Sequence, residues 1–131
     1  MSWQLVRNFY KFTSTSRHNP VEGKGAMVFI ETKIFTDAIQ RCMSDDAYAA
    51  LQNHLVEHPD GGALIPDSGG LRKIRWCGSG RGKRGGTRVI YYWWVPSRMF
   101  MLLAYAKNQK DNLTAAEKTT LRKLVEDMTN G

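Results

Sequence analysis

Lys73, Arg75, Arg88 and Lys107 are the residues with which this chain can do chemistry. Lys73 and Arg75 belong to Leu71-Arg72-Lys73-Ile74-Arg75-Trp76, whose alternation predicts a strand. Leu71, Lys73 and Arg75 then share one face, and Arg72, Ile74 and Trp76 the other. Two residues on one face lie roughly 7 Å apart along a strand, close to the phosphate spacing of a nucleic-acid strand. Arg88 opens the next predicted strand and Lys107 closes the last, so these four can converge on one phosphate. Cleavage of RNA by its own 2′-hydroxyl needs a base, an acid and stabilisation of the charge on the phosphorane. Cationic side chains supply the last two. A lysine in cationic company can also exchange its proton near neutrality. A site made of cations alone is therefore chemically feasible. The competing reading, a merely solvated charged face, is weakened by the repulsion such cations suffer unless an anion joins them.

The surrounding stretch supports this. Ser68 to Lys110 carries ten Lys or Arg residues and no Asp or Glu. Val28 to Asp67 carries seven acids against two bases, and Asp111 to Gly131 four acids against three bases. The net charge of +7 is thus concentrated in the middle of the chain, which points to a polyanionic partner. Cys77 to Gly86 is a glycine-rich loop interleaved with Arg81, Lys83 and Arg84. It reads either as a long hairpin loop or as a cationic finger tracking a phosphate backbone, and the two readings are compatible. Strands flank it on both sides, so no helix N-terminus is available to hold a pyrophosphate. Arg72, with Arg75, Arg81, Lys83, Arg84 and Asn108, completes the set of candidate RNA contacts. Tyr91, Tyr92, Trp93, Trp94 and Tyr105 add aromatic surface. Alternate members belong to a core, and others can stack on bases.

Other chemistries find no support. His18, His54 and His58 lie outside the basic stretch, and Cys42 and Cys77 match no metal-ligand spacing. The pattern calls for no metal and no cofactor. No HExxH, Walker loop or nucleophile elbow occurs. Two cysteines without a secretory leader read as reduced thiols of a cytoplasmic protein. The longest apolar runs are about eight residues, far short of a membrane span.

The elements that must position these residues follow from periodicity. With 131 residues the chain suits one domain, with or without a tail. Residues 1–26 show no sustained period, and we expect a flexible N-terminal extension or the product of an upstream start codon. The domain then runs from residue 27 to 131. Met27 opens a strand pattern. Ile34, Phe35, Ala38, Ile39 and Cys42 have helical spacing, with Thr36 as a candidate cap. Ser44, followed by Asp45 and Asp46, starts a second helix that ends near His58-Pro59-Asp60-Gly61-Gly62. Thr87–Val95 and Met99–Ala106 are apolar and aromatic strands joined at Pro96-Ser97-Arg98, and at least one is covered on both faces. Thr114-Ala115-Ala116-Glu117 is a capping box for a last helix. The order β-α-α-β-β-β-α predicts an α+β domain, a helix hairpin packed on a small antiparallel sheet with a C-terminal helix.

Three strings also resemble a known family: GGLRKIR (Gly69–Arg75), GKRGGTRVIYYW (Gly82–Trp93) and LLAYAKNQKDNLT (Leu102–Thr114). They are similar to the HigB branch of the RelE/ParE superfamily, the toxin halves of bacterial type II toxin–antitoxin pairs. The resemblance covers about Met27 to Met128. It implies a RelE-like fold, ribosome-dependent cleavage of messenger RNA and consequent inhibition of translation. It also implies the ribosome and messenger RNA as partners, and a cognate antitoxin, often a helix-turn-helix protein. By position it implies that Lys73 and Arg75 hold the RNA backbone, that Arg88 stabilises the transition-state phosphate and that Lys107 is the basic residue ending the last strand. Asn108 stands where RelE itself has a second catalytic arginine, and Leu113 or Thr114 where it has a catalytic tyrosine. The general base is then Tyr105 or Lys107. Two readings compete: a ParE-like poison of DNA gyrase, and a basic RNA-binding domain without catalysis. The cationic sheet favours RNA cleavage over the first.

Overall fold

Hydroxyl side chains set the helix starts. Ser44 caps the second helix, its Oγ accepting from the Ala47 backbone N–H at 3.1 Å. Thr114 and Glu117 form the expected capping box, each side chain accepting from the other's backbone N–H. The first helix departs from expectation. Its cap is Thr32, not Thr36, and its Oγ1 accepts from Phe35 N–H at 3.0 Å. Thr36 lies inside the helix and donates to the Glu31 carboxylate at 2.6 Å. The Thr32 hydroxyl also donates to the Leu102 carbonyl, which ties the start of this helix to a central strand.

The computed structural model describes residues 11–15 (backbone only), 27–77, 86–107 and 112–130. In chain order they form β1 (Lys11–Thr15), β2 (Met27–Glu31), α1 (Lys33–Cys42), α2 (Asp45–Glu57), β3 (Ala63–Leu64), β4 (Arg72–Trp76), β5 (Thr87–Val95), β6 (Arg98–Ala106) and α3 (Ala115–Asn130). The architecture is α+β, as the periodicity predicts. Two strands come without a periodic signal. The dipeptide β3 is too short to show one, and β1 lies within residues 1–26.

The six strands are ordered β1-β2-β6-β5-β4-β3. All neighbours are antiparallel except β2 and β6, which run parallel from Val28↔Arg98 to Glu31↔Met101. The long strand β5 is central and covered on both sides. One face carries Phe29, Ile74, Val89, Tyr91, Met99 and Met101 under Phe35, Ile39, Leu51 and Leu55 of α1 and α2. The other carries Leu71, Ile90, Phe100, Leu102 and Tyr105 under Leu113 and the Leu121–Leu124–Val125 stripe of α3. Each fully buried aliphatic or aromatic side chain contributes about 1.5–3 kcal/mol. The two layers thus clamp β4, β5 and β6 as one rigid body, on which the basic residues are mounted.

Candidate nucleic-acid site

Register determines which cations meet. Arg75 lies directly opposite Arg88 on the β4–β5 ladder, and Arg88 directly opposite Tyr105 on the β5–β6 ladder. Directly opposed residues share a face, with Cα atoms about 4.5–5.5 Å apart. Lys73, two residues before Arg75, lies on that same face. The fold therefore brings Lys73, Arg75, Arg88 and Tyr105 to one corner of the sheet, on the side of α3. Like charges directly across a ladder are destabilising. Here one of them, Arg88, is only 7% exposed, while Arg75 is open to solvent. Two arginines on one face raise the local positive potential, which favours an anion nearby.

The corner is braced from three sides. Gly86 has φ +71°, a conformation that side-chain-bearing residues rarely adopt. A Cβ there would meet the Cys77 Sγ at 3.1 Å and Arg75 Cγ at 3.5 Å, so the turn into β5 passes close against the Arg75 stem. Lys107 follows β6, and its backbone N–H donates to the Gly86 carbonyl at 3.4 Å. Its exposed side chain starts beside the entry to β5. The Lys73 ammonium donates to Asn112 Oδ1 at 2.9 Å, just ahead of α3. Asn112 was not among the residues expected here. Only its proximity to Lys73 in space marks it, since 39 residues separate the two.

Arg72 is not brought to this corner. It points to the opposite face, where its guanidinium donates to the Gly62 carbonyl at 2.7 Å and the Asp60 carbonyl at 3.3 Å. Tyr91, its ladder partner, secures the same loop by accepting from the Gly62 N–H and donating to the Pro59 carbonyl, both at 2.8 Å. Burial pushes the Tyr91 phenol above its ordinary value, an effect partly opposed by the Gly62 N–H and the Arg72 charge. Arg81, Lys83, Arg84 and Asn108 lie outside the described residues. The aromatic residues divide between faces as alternation requires. Tyr91 is wholly buried, Tyr105 is 6% exposed, and Tyr92, Trp93 and Trp94 are half-buried.

Groups away from the corner have settled roles. Burial raises the Cys42 thiol above its usual range, against a hydrogen bond from Thr87, so little thiolate forms at neutral pH. The Tyr48 hydroxyl donates to Glu31 at 2.7 Å. Burial, then the adjacent carboxylate, raises its ionisation well above the ordinary phenol value. Among the described residues, no three side chains of metal-binding type cluster together. No described helix is long and apolar enough to cross a membrane.

The cationic corner on this sheet, with Lys73 tied to Asn112 ahead of the C-terminal helix, has the charge to hold an anion such as a phosphate. The sequence model of the RelE toxin of the RelE/RelB toxin–antitoxin system matches residues 30–130. The chain belongs to the RelE toxin family. It is thus the toxin of a toxin–antitoxin pair, a class generally made up of translation-inhibiting endoribonucleases that are neutralised by a partner antitoxin.

Proposed function

We propose that this protein is a HigB-type toxin that cleaves messenger RNA on the ribosome, in the cytoplasm, without a metal ion. The opposition of Arg75 and buried Arg88, with Tyr105 on the next strand, carries this reading. Arg88 stabilises the charge that develops on the scissile phosphate, where a preorganised cation acts most strongly. Tyr105 or Lys107 removes the 2′-hydroxyl proton, and Lys73 assists in proton transfer and holds the backbone. Arg75 binds the RNA, joined by Arg81, Lys83, Arg84 and Asn108. Arg72 is a weaker candidate contact, because two loop carbonyls already engage it. The antitoxin is a helix-turn-helix protein, and the toxin domain begins at Met27.

The test is induction of the chain without its antitoxin. Growth arrests, and primer extension finds messages cut inside translated regions. Intact messages accompanied by gyrase-linked DNA breaks would replace this reading with the ParE-like one. A ParE-like poison shares the fold, so fold alone does not separate the two.

A further inference from the structure

A second set of cations lies along the seam between β4 and α3. Lys118 and Arg122 are one turn apart on α3, so they share a helix face about 6 Å apart along the axis. They flank the buried stripe of Leu121, Leu124 and Val125 and do not oppose it. Arg122 is seated. Gly69 has φ +76°, and a Cβ there would meet Arg122 Cγ and Cδ at 2.9 Å each. The turn carrying Gly69 is itself pinned by Ser68, whose hydroxyl donates to the Ile65 carbonyl at 2.6 Å and accepts from Leu71 N–H at 3.0 Å. The aliphatic stem of Arg122 thus rests on a fixed glycine surface while the residue stays exposed. Lys118 is half-buried on the same flank. Neither forms an ion pair with a described acid, unlike Lys33 with Asp37.

Two contacts fix the direction of this seam. At one end Asn112, before α3, holds Lys73 of β4. At the other, Arg122 of α3 lies against Gly69, ahead of β4. Helix and strand therefore run side by side in opposite senses. Lys118 and Arg122 extend the line that starts at Arg75 and Lys73.

We infer that the β4–α3 seam is a secondary RNA track, along which Lys118 and Arg122 hold the phosphates of nucleotides leaving the catalytic corner. This rests on the proposed RNA cleavage and adds a polarity to it. The strand enters at Arg75 and Arg88 and leaves over the first two turns of α3. These two residues are remote from the reacting atoms, so they contribute to binding and not to the chemical step.

The experiment compares the full chain with Lys118→Met/Arg122→Met in single-turnover cleavage on programmed ribosomes. Methionine keeps a long apolar stem against Gly69 and removes the charge. The ribosome concentration for half-maximal cleavage should rise roughly fivefold to tenfold, and the dependence on salt should become shallower by about 0.7 per cation lost. The rate at saturation should stay that of wild type, and Arg122→Lys should restore most of the affinity. Unchanged half-saturation and salt slope in a folded double variant would overturn the track. So would a loss confined to the saturating rate, or a loss of antitoxin binding in place of RNA binding. Absence of cleavage by wild type would instead fail the underlying reading. The track would then be judged separately, by anisotropy of a fluorescent single-stranded RNA, where equal binding of wild type and variant sinks it.

Discussion

The two faces of β4 put arginines to opposite uses. Arg72, on the α1–α2 side, spends its charge on the carbonyls of Asp60 and Gly62 and so holds a loop in place. Arg75, one pleat further on and turned the other way, is exposed and confronts Arg88 across the ladder. The residue type is the same and the spacing in sequence is three. What separates a structural arginine from a candidate functional one is what the fold places opposite it. Carbonyls engage one guanidinium, whereas two guanidinium groups on one face concentrate positive charge that favours an anion.

The largest consequence of this contrast is on the α3 side. Arg88→Ala should lower single-turnover cleavage by about 10²–10³, the size of losing one preorganised transition-state donor. Ribosome binding should fall much less, because Lys73 and Arg75 remain. Arg88→Lys should recover only part of the rate, since an ammonium cannot hold two phosphate oxygens in a planar fork. Circular dichroism must accompany the assay, because Arg88 is buried. Wild-type cleavage by a folded Arg88→Ala protein would move the catalytic assignment to Lys107.

The opposite face should respond in stability. Arg72→Ala removes two charge-assisted bonds from a half-buried guanidinium and should cost roughly 1–2 kcal/mol, at the lower end for such bonds. It should lower the melting temperature and leave the cleavage rate of the folded protein unchanged. A loss of cleavage with no loss of stability would show that Arg72 reaches the RNA after all and would erase the contrast.

The smallest effect is expected at the sheet edge. A chain beginning at Met27 loses β1 but keeps the parallel pairing of β2 with β6. It should stay toxic, with a melting temperature lower by about 5 °C or less. A larger drop in calorimetry would make β1 part of the domain and move its boundary towards the N-terminus.

The sequence announced features governed by local chemistry. Ser44 and the Thr114–Glu117 box mark their helix starts because capping uses neighbouring backbone groups. The alternation through Leu71–Trp76 correctly separates Arg72 from Lys73 and Arg75, because strand pleating is local too. The misplaced cap shows the limit. Thr32 and Thr36 are both plausible caps in isolation, and a carbonyl 70 residues away and a buried carboxylate assign their roles. The cations of the candidate site are legible in sequence, but their exact partners are not, for the same reason. That Arg75 faces Arg88 and not Val89 depends on ladder register, and that Asn112 holds Lys73 depends on where α3 docks. β1 and β3 have no pattern to read, since pairing with a neighbour is what makes them strands.

The parallel pairing of β2 with β6 has a consequence in time. It joins residues 70 positions apart, as the Thr32–Leu102 bond does. No short turn can close such a pair, so the chain must bear the entropy of a long loop before the contacts reward it. At a synthesis rate of about 5–20 residues per second, β2 leaves the ribosome roughly 4–14 s before its parallel partner. During that interval, among the described strands, the sheet neighbour of β2 already within reach is β1, whose antiparallel ladder with β2 is local. The cationic corner comes later still, because β4, β5 and β6 all belong to the second half of the chain. The cationic corner therefore assembles only after most of the chain has been made, when the last strand docks.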